Sequence, residues 1–373
     1  MFLTTHVGSL PRPLPVCDTL QAREDGQIEA DQFESVITEH VQAIVQHQTD
    51  IGINHVSDGE FSKIGYANYI KDRLSGFSGD SPRIPGADLD DFPGFLAMLA
   101  RWREGALPRP TPCCTGPISV KDTAQLQADL SRLQTAVQKA DADGAFINAA
   151  SPGVIALFQA NEYYDNRTDY LNALGDAMRQ EYKAIIDAGF YLQIDCPDLA
   201  MGRHTTYKHD SEDTFLRAAE EQVEVLNAAL DGLPSDRMRL HICWGNYEGP
   251  HTHDIGLDKV IGLLIKAKPD ILLFEAANPR HAHEWRVFQS VDLPAGKILC
   301  PGVLDSTSNY VEHPELVADR LMTFADIVGP ERVMGGSDCG FGTFAGDGLV
   351  EQQVTFAKLE SLARGAELAR ARI

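Results

Sequence analysis

No run in this sequence reaches the ~20 consecutive apolar residues that a membrane helix needs. Basic side chains are scarce, with 32 Lys and Arg against 54 Asp and Glu in 373 residues. The net charge of −22 repels phosphate backbones and anionic headgroups, and no Lys/Arg cluster offsets it locally, so neither nucleic acid nor a membrane is an expected partner. The opening residues, Met1-Phe2-Leu3-Thr4-Thr5-His6, lack the basic start and apolar stretch of a secretory signal. Seven scattered cysteines, an odd number, fit no secreted disulfide framework. The expected location is the cytoplasm. No Gly-x-Gly-x-x-Gly follows the first apolar run and no Gly-x-x-x-x-Gly-Lys-Ser/Thr occurs, which weighs against nucleotide-binding open sheets.

What is present is an alternation of helical periods with short β-branched or aromatic runs that end in Gly, Pro, Asn or Asp. Strands are expected at Leu3 to Val7, Ile53 to Ser57, Cys113 to Ile118, Phe146 to Ala150, Tyr191 to Asp195, Arg239 to Trp244, Ile271 to Ala276, Ile298 to Val303 and Val333 to Ser337. Helices are expected over Ala30 to Gln48, Leu171 to Ala188, Thr214 to Ala229 and Val350 to Ala371. This rhythm predicts an α/β fold, a (β/α)8 TIM barrel with insertions, in a single domain over residues 1–373. Nine candidate strands are one more than the barrel uses. The surplus one is assigned to an insertion over residues 144–165, after a third barrel strand at Cys113 to Ile118. Residues 82–112, rich in Pro, Gly and Asp, read as an irregular excursion.

In a parallel barrel the side chains at the strand ends converge on one face, where catalytic groups collect. His241 and Cys243 share one side of a strand, Glu275 ends the next, and Cys339 follows the last. Taken singly, each reads better as a packed core residue than as a ligand. Together they make four donors of the kinds Zn2+ takes in a tetrahedron, at positions where stability does not require them.

At these residues the sequence resembles the cobalamin-independent methionine synthase family, specifically its C-terminal catalytic barrel, over nearly the whole chain. The resemblance rests on Thr4-Thr5-His6-Val7-Gly8-Ser9, Ser57-Asp58-Gly59-Glu60, Gln193-Ile194-Asp195, His241-Ile242-Cys243, Glu275, Pro301-Gly302-Val303-Leu304-Asp305 and Ser337-Asp338-Cys339-Gly340. It implies a zinc-dependent enzyme that moves a methyl or other alkyl group to a small thiol, with His241, Cys243, Glu275 and Cys339 as the metal ligands. It also implies that the amides of Val7, Gly8 and Ser9 hold the substrate's acidic group, and that Glu60 and Asp195 grip its amino group.

Two departures redirect that reading. Thr307 stands where the resemblance places a proton-delivering His, and Asp195-Cys196-Pro197 replaces Asp-Glu-Pro. Both argue against folate as the methyl donor. The loops after His241-Ile242-Cys243 and Glu275 resemble single-barrel members that include epoxyalkane:coenzyme M transferases, which makes an epoxide-opening thiol transferase the alternative. His281 and His283 in these loops either exchange protons with substrate, alongside Asp195, or cap a helix and face solvent. A metal-free barrel of the uroporphyrinogen decarboxylase type and a non-catalytic thiol or metal binder are the remaining rivals. The expected partners are a small thiol and a small alkyl donor, and a homo-oligomer is compatible with all of this.

Overall fold

The computed structural model describes residues 1–82, 84–102, 107 and 111–373. Its strands, in chain order, are β1 His55–Val56, β2 Phe77–Ser78, β3 Cys113–Cys114, β4 Gly144–Ala150, β5 Tyr191–Asp195, β6 Met238–His241, β7 Ile271–Phe274, β8 Ile298–Leu304 and β9 Gly336–Ser337. Seven of them form one sheet in the order β1-β4-β5-β6-β7-β8-β9, and every pairing in it is parallel. Parallel neighbours require crossovers, and the helices Arg167–Asp187, Glu212–Ala229, Leu257–Lys266 and Pro314–Val328 supply them, so the sheet curls as it advances one strand at a time.

Residues Leu3 to Thr5 bond to both ends of this curled sheet. Gly335 N donates to Leu3 O and Thr5 N to Gly335 O, each at 2.9 Å, while His55 N donates to Thr4 O at 3.0 Å. From inside, the fully buried Arg239 of β6 donates to Thr5 Oγ1 at 3.0 Å and His6 O at 2.9 Å, with its guanidinium 3.8 Å from the centre of the Phe146 ring.

The helices follow their apolar spacing. In Ala30–Asp50 the buried residues Phe33, Ile37, Val41, Ile44 and Val45 recur every three or four positions and form one stripe. Arg167–Asp187 starts where the Asn166 side chain accepts from Asp169 N, and Glu212–Ala229 where Ser211 accepts from Thr214 N. The last expected helix is observed as Gln352–Arg370, capped by Glu351.

One strand assignment is reversed. Gly144–Ala150, expected in an insertion, lies in the main sheet between β1 and β5, and its last six residues are buried. The run at Cys113 yields only Cys113–Cys114, paired antiparallel with Phe77–Ser78 outside the main sheet. The physical reason is in the flanks: Pro112 and Pro117 lack the N–H that a central strand must donate, whereas residues 144–150 form an unbroken run suited to a sheet covered on both faces. Part of the segment 82–112 is helical, at Ala87–Asp91 and Pro93–Trp102. The rest of that expectation, including Pro108 and Pro110, falls partly on residues outside those described. Among the described residues no helix is long and apolar enough to cross a membrane.

Candidate metal centre

β6 ends at His241, and Cys243 lies two residues beyond it. β9 ends at Ser337, whose hydroxyl donates to Cys339 O at 2.8 Å and tightens the turn that presents the Cys339 thiol. These elements place one donor atom each from His241, Cys243 and Cys339 within 4.8 Å of one another, and all three residues are buried. The His241 ring is oriented from below: its Nδ1 lies 3.3 Å from Asp195 Oδ1 at the end of β5. A carboxylate only accepts, so Nδ1 carries the proton and Nε2 keeps its lone pair. That Nε2 is buried and, among the described residues, has no hydrogen-bond partner.

The thiols share a proton. The hydrogen bond with Cys339 lowers the pKa of Cys243 to about 7, outweighing burial, while the same bond, reinforced by burial, raises Cys339 well above the ordinary thiol range. Of the two, Cys243 is the more acidic thiol.

Glu275 stands outside the trio. Its Oε1 accepts from Trp244 N at 2.9 Å, one residue past Cys243, and its Oε2 from Asn278 Nδ2 at 2.7 Å. Burial raises its pKa to about 7. The loop behind it is tied to the Cys339 turn, because Asp338 Oδ1 accepts from Ala276 N and Ala277 N and Oδ2 from Asn278 N, at 2.8 to 2.9 Å. The structure therefore brings together three of the four expected ligands and holds the fourth beside them on the backbone of the first pair.

The trio lines a cavity of about 490 Å3 whose wall also includes Val7, Ser9, Glu60, Tyr66 and Asp195. Glu60 is buried with Oε2 unpartnered, and burial raises its pKa to about 7. Its backbone sits in the left-handed region at φ 59°, pinned by Arg12, which donates to Glu60 O at 2.9 and 3.2 Å. A strained non-glycine residue of this kind costs about 1–3 kcal/mol and persists where surrounding structure holds it.

Several of the expected site residues also have partners within the protein. Val7 N donates to Ser337 Oγ and Gly8 N to His6 Nδ1, so these two amides are already bonded within the protein. Gly8 has a structural reason instead: at φ +137° its missing Cβ would lie 2.2 Å from Asn148 Oδ1. Asp195 has both oxygens engaged, by His241 and Gln193 on one and Asn148 on the other. Orienting His241 is a role the sequence did not reveal, since a strand-end Asp carries no mark of its partner. His281 and His283, for which proton exchange with substrate and a capping or solvent-facing place were both open, are not among the residues that line the cavity. His281 is buried between Asp254 Oδ2 at 2.9 Å and Glu284 Oε2 at 2.8 Å, with its ring 4.1 Å from that of Trp244. Burial by itself would lower its pKa, but the bonds to Asp254 and Glu284 outweigh it and hold His281 at about 10. His283 is exposed, at the start of a short 3-10 turn.

The outer wall of the cavity is apolar, with Leu89, Leu96, Leu99, Leu157, Phe158 and Phe344 over the polar floor. Sequence periodicity did not show this wall, because its members come from separate loops and short helices.

Residues 2–83 and 108–364 match the family described as cobalamin-independent synthase, catalytic domain. Methionine synthases of Saccharolobus islandicus and Saccharolobus solfataricus are 24% and 25% identical to the chain, over 98% of this chain and 94% of each relative. A solved B12-independent methionine synthase from Shewanella sp. W3-18-1, in complex with selenomethionine, shares the fold with a TM-score of 0.77 at 20% identity, covering 100% of this chain and 98% of that one. With its strand-end histidine and cysteines gathered at one cavity, the chain belongs to the cobalamin-independent synthase catalytic-domain family.

Proposed function

We propose that the chain is a zinc-dependent transferase that moves a methyl or other small alkyl group to a small thiol in the cavity lined by His241, Cys243 and Cys339. The observation that carries this reading is the buried Nε2 of His241, orphaned among the described residues, beside two cysteine sulfurs, of which that of Cys243 is the more acidic. Nitrogen and sulfur donors so close together suit Zn2+. His241, Cys243 and Cys339 would hold it, with Glu275 as the fourth ligand after release from Trp244 N and Asn278. Bound there, zinc would keep a substrate thiol in its nucleophilic thiolate form near neutral pH.

The chain's own residues supply the rest. Asp195 fixes the His241 tautomer. Glu60 and Asp195 present carboxylates to the amino group of a thiol such as homocysteine, a choice supported by the naming of the relatives as methionine synthases. Val7 and Ser9 flank the same end of the cavity. The apolar outer wall keeps water from the reacting carbon. A metal-free decarboxylase-type site would leave the His241 nitrogen and both thiols without a task.

We also read the sheet as a closed eight-stranded barrel, with Leu3 to Thr5 as the first strand. The bonds from that segment to both ends of the sheet support this. The barrel forms a single domain, and a reducing cytoplasm suits its seven free, buried cysteines. Zinc content of the purified protein, with X-ray absorption before and after addition of homocysteine, tests the reading. One zinc per chain and a new sulfur ligand are expected. Full zinc content in Cys243→Ser and Cys339→Ser variants would overturn it.

A further inference from the structure

Transfer of an alkyl group to sulfur leaves an electron pair on the departing atom. In an apolar cavity an anion formed there is costly unless a donor meets it. Thr307 does not meet it: its hydroxyl and its backbone N–H both bond to Asp305 Oδ1 at 2.9 Å, and it does not line the cavity. The ring-bearing donors Tyr247 and His204 on the described wall are engaged elsewhere. Tyr247 donates to Asp88 at 2.9 Å. His204 Nε2 donates to Trp244 O at 2.7 Å, while its Nδ1 is buried, with Gly86 so close that a Cβ there would lie 2.9 Å from it.

Tyr66 is different. It lines the cavity together with His241, Cys243 and Cys339, and among the described residues no hydrogen bond of its hydroxyl is found. Its ring is fixed between two apolar wall residues, with centroids 5.9 Å from both Phe158 and Phe344. The backbone before it is clamped to the opposite wall: Ala345 N donates to Ile64 O at 2.8 Å, Gly65 bridges to Phe344, and a Cβ at Gly65 would lie 2.6 Å from the Phe344 ring. A phenol carries its proton at neutral pH and can donate it from this position.

We propose that Tyr66 is the catalytic proton donor to the departing group of the alkyl donor. The assignment rests on the thiol-alkylation reading above. In the step, the substrate sulfur forms a bond to the donor carbon, and the bond from that carbon to an oxygen or nitrogen breaks with its electron pair left on the heteroatom. The phenolic proton then moves to that atom. The proton released by the next incoming thiol restores the phenol, so the sum is thiol plus alkyl donor giving thioether plus protonated leaving group. The apolar wall around Tyr66 further selects a donor whose leaving portion is neutral and apolar once protonated.

The test compares the zinc-loaded protein with its Tyr66→Phe variant, which keeps the ring contacts to Phe158 and Phe344. Zinc content and homocysteine uptake by X-ray absorption are measured on both. Transfer rates are measured with 1,2-epoxypropane, whose oxygen departs as an alkoxide, and with trimethylsulfonium, whose sulfur departs uncharged. Expected are equal zinc and homocysteine uptake, a loss of about 10²-fold or more with the epoxide, and a smaller loss with the sulfonium. Equal losses with both donors, no loss with the epoxide, or uptake of zinc and homocysteine without transfer from either probe would overturn the assignment alone. An unsubstituted protein that takes up neither zinc nor homocysteine would overturn the underlying reading as well.

Discussion

The Nδ1 of His241 lies 3.3 Å from Oδ1 of Asp195, and this one contact decides which nitrogen of the ring is left facing Cys243 and Cys339. A group that orients a metal-binding imidazole typically contributes 10- to 100-fold in metal affinity. Asp195→Asn should therefore lower zinc affinity by about that factor without removing zinc altogether. Competition with a chromogenic chelator would measure it, and unchanged affinity would assign Asp195 to substrate alone.

Glu60 sets a pH dependence. Burial raises its pKa to about 7, and Asp195 adds to the effect. A raised carboxyl pKa contributes stability that is full below the unfolded value of about 4.5 and is lost as pH rises through about 7. Glu60→Gln should flatten the unfolding free energy between roughly pH 5 and 8 relative to the unsubstituted protein. The same variant should lose homocysteine affinity most where the carboxylate is ionised, above about pH 7. Urea unfolding and homocysteine titration at several pH values would follow both.

Gly8→Ala should cost about 1–3 kcal/mol of stability, because an L side chain at φ +137° is strained and its Cβ would strike Asn148. Asn148 Nδ2 bonds Val7 O at 2.8 Å and Asp195 Oδ2 at 2.9 Å, so the damage should reach the cavity floor and weaken thiol uptake. Thermal unfolding with and without homocysteine would register both effects.

Outside the cavity lining, buried Arg73 pairs with Asp129 and with Glu181 at 2.9 Å, and buried Arg132 also pairs with Asp129. Asp129→Ala leaves two guanidinium groups without this partner and should cost about 3–5 kcal/mol. Burial works against ionisation of Asp129, but Arg73 and Arg132 hold its pKa below the ordinary range. Its contribution is thus present above about pH 4 and lost as pH falls further. Denaturant melts at neutral and acid pH would show the variant losing this acid sensitivity.

Strands buried along all or nearly all of their length were legible wherever flanking residues agreed with them, as at Tyr191–Asp195 and Ile271–Phe274. The exchange of roles between Cys113–Cys114 and Gly144–Ala150 was not, because a short apolar run carries no sign of which sheet it will join. The place of His281 stayed open for a related reason. A histidine after a strand end looks the same in sequence whether it turns into a cavity or, as here, lies between Asp254 and Glu284 under Trp244.

By itself the sequence determined the βα alternation and the donors His241, Cys243 and Cys339 at strand ends, since both follow from local residue order and the period of two along a strand. Only the tertiary structure decided that these three converge, that Glu275 is held by Trp244 N and Asn278, that Asp195 orients His241, and that Tyr66 lines the same cavity as the thiols. Each of those relations joins segments separated by tens of residues. Their distances depend on how the sheet curls and how its loops pack, which no local pattern records.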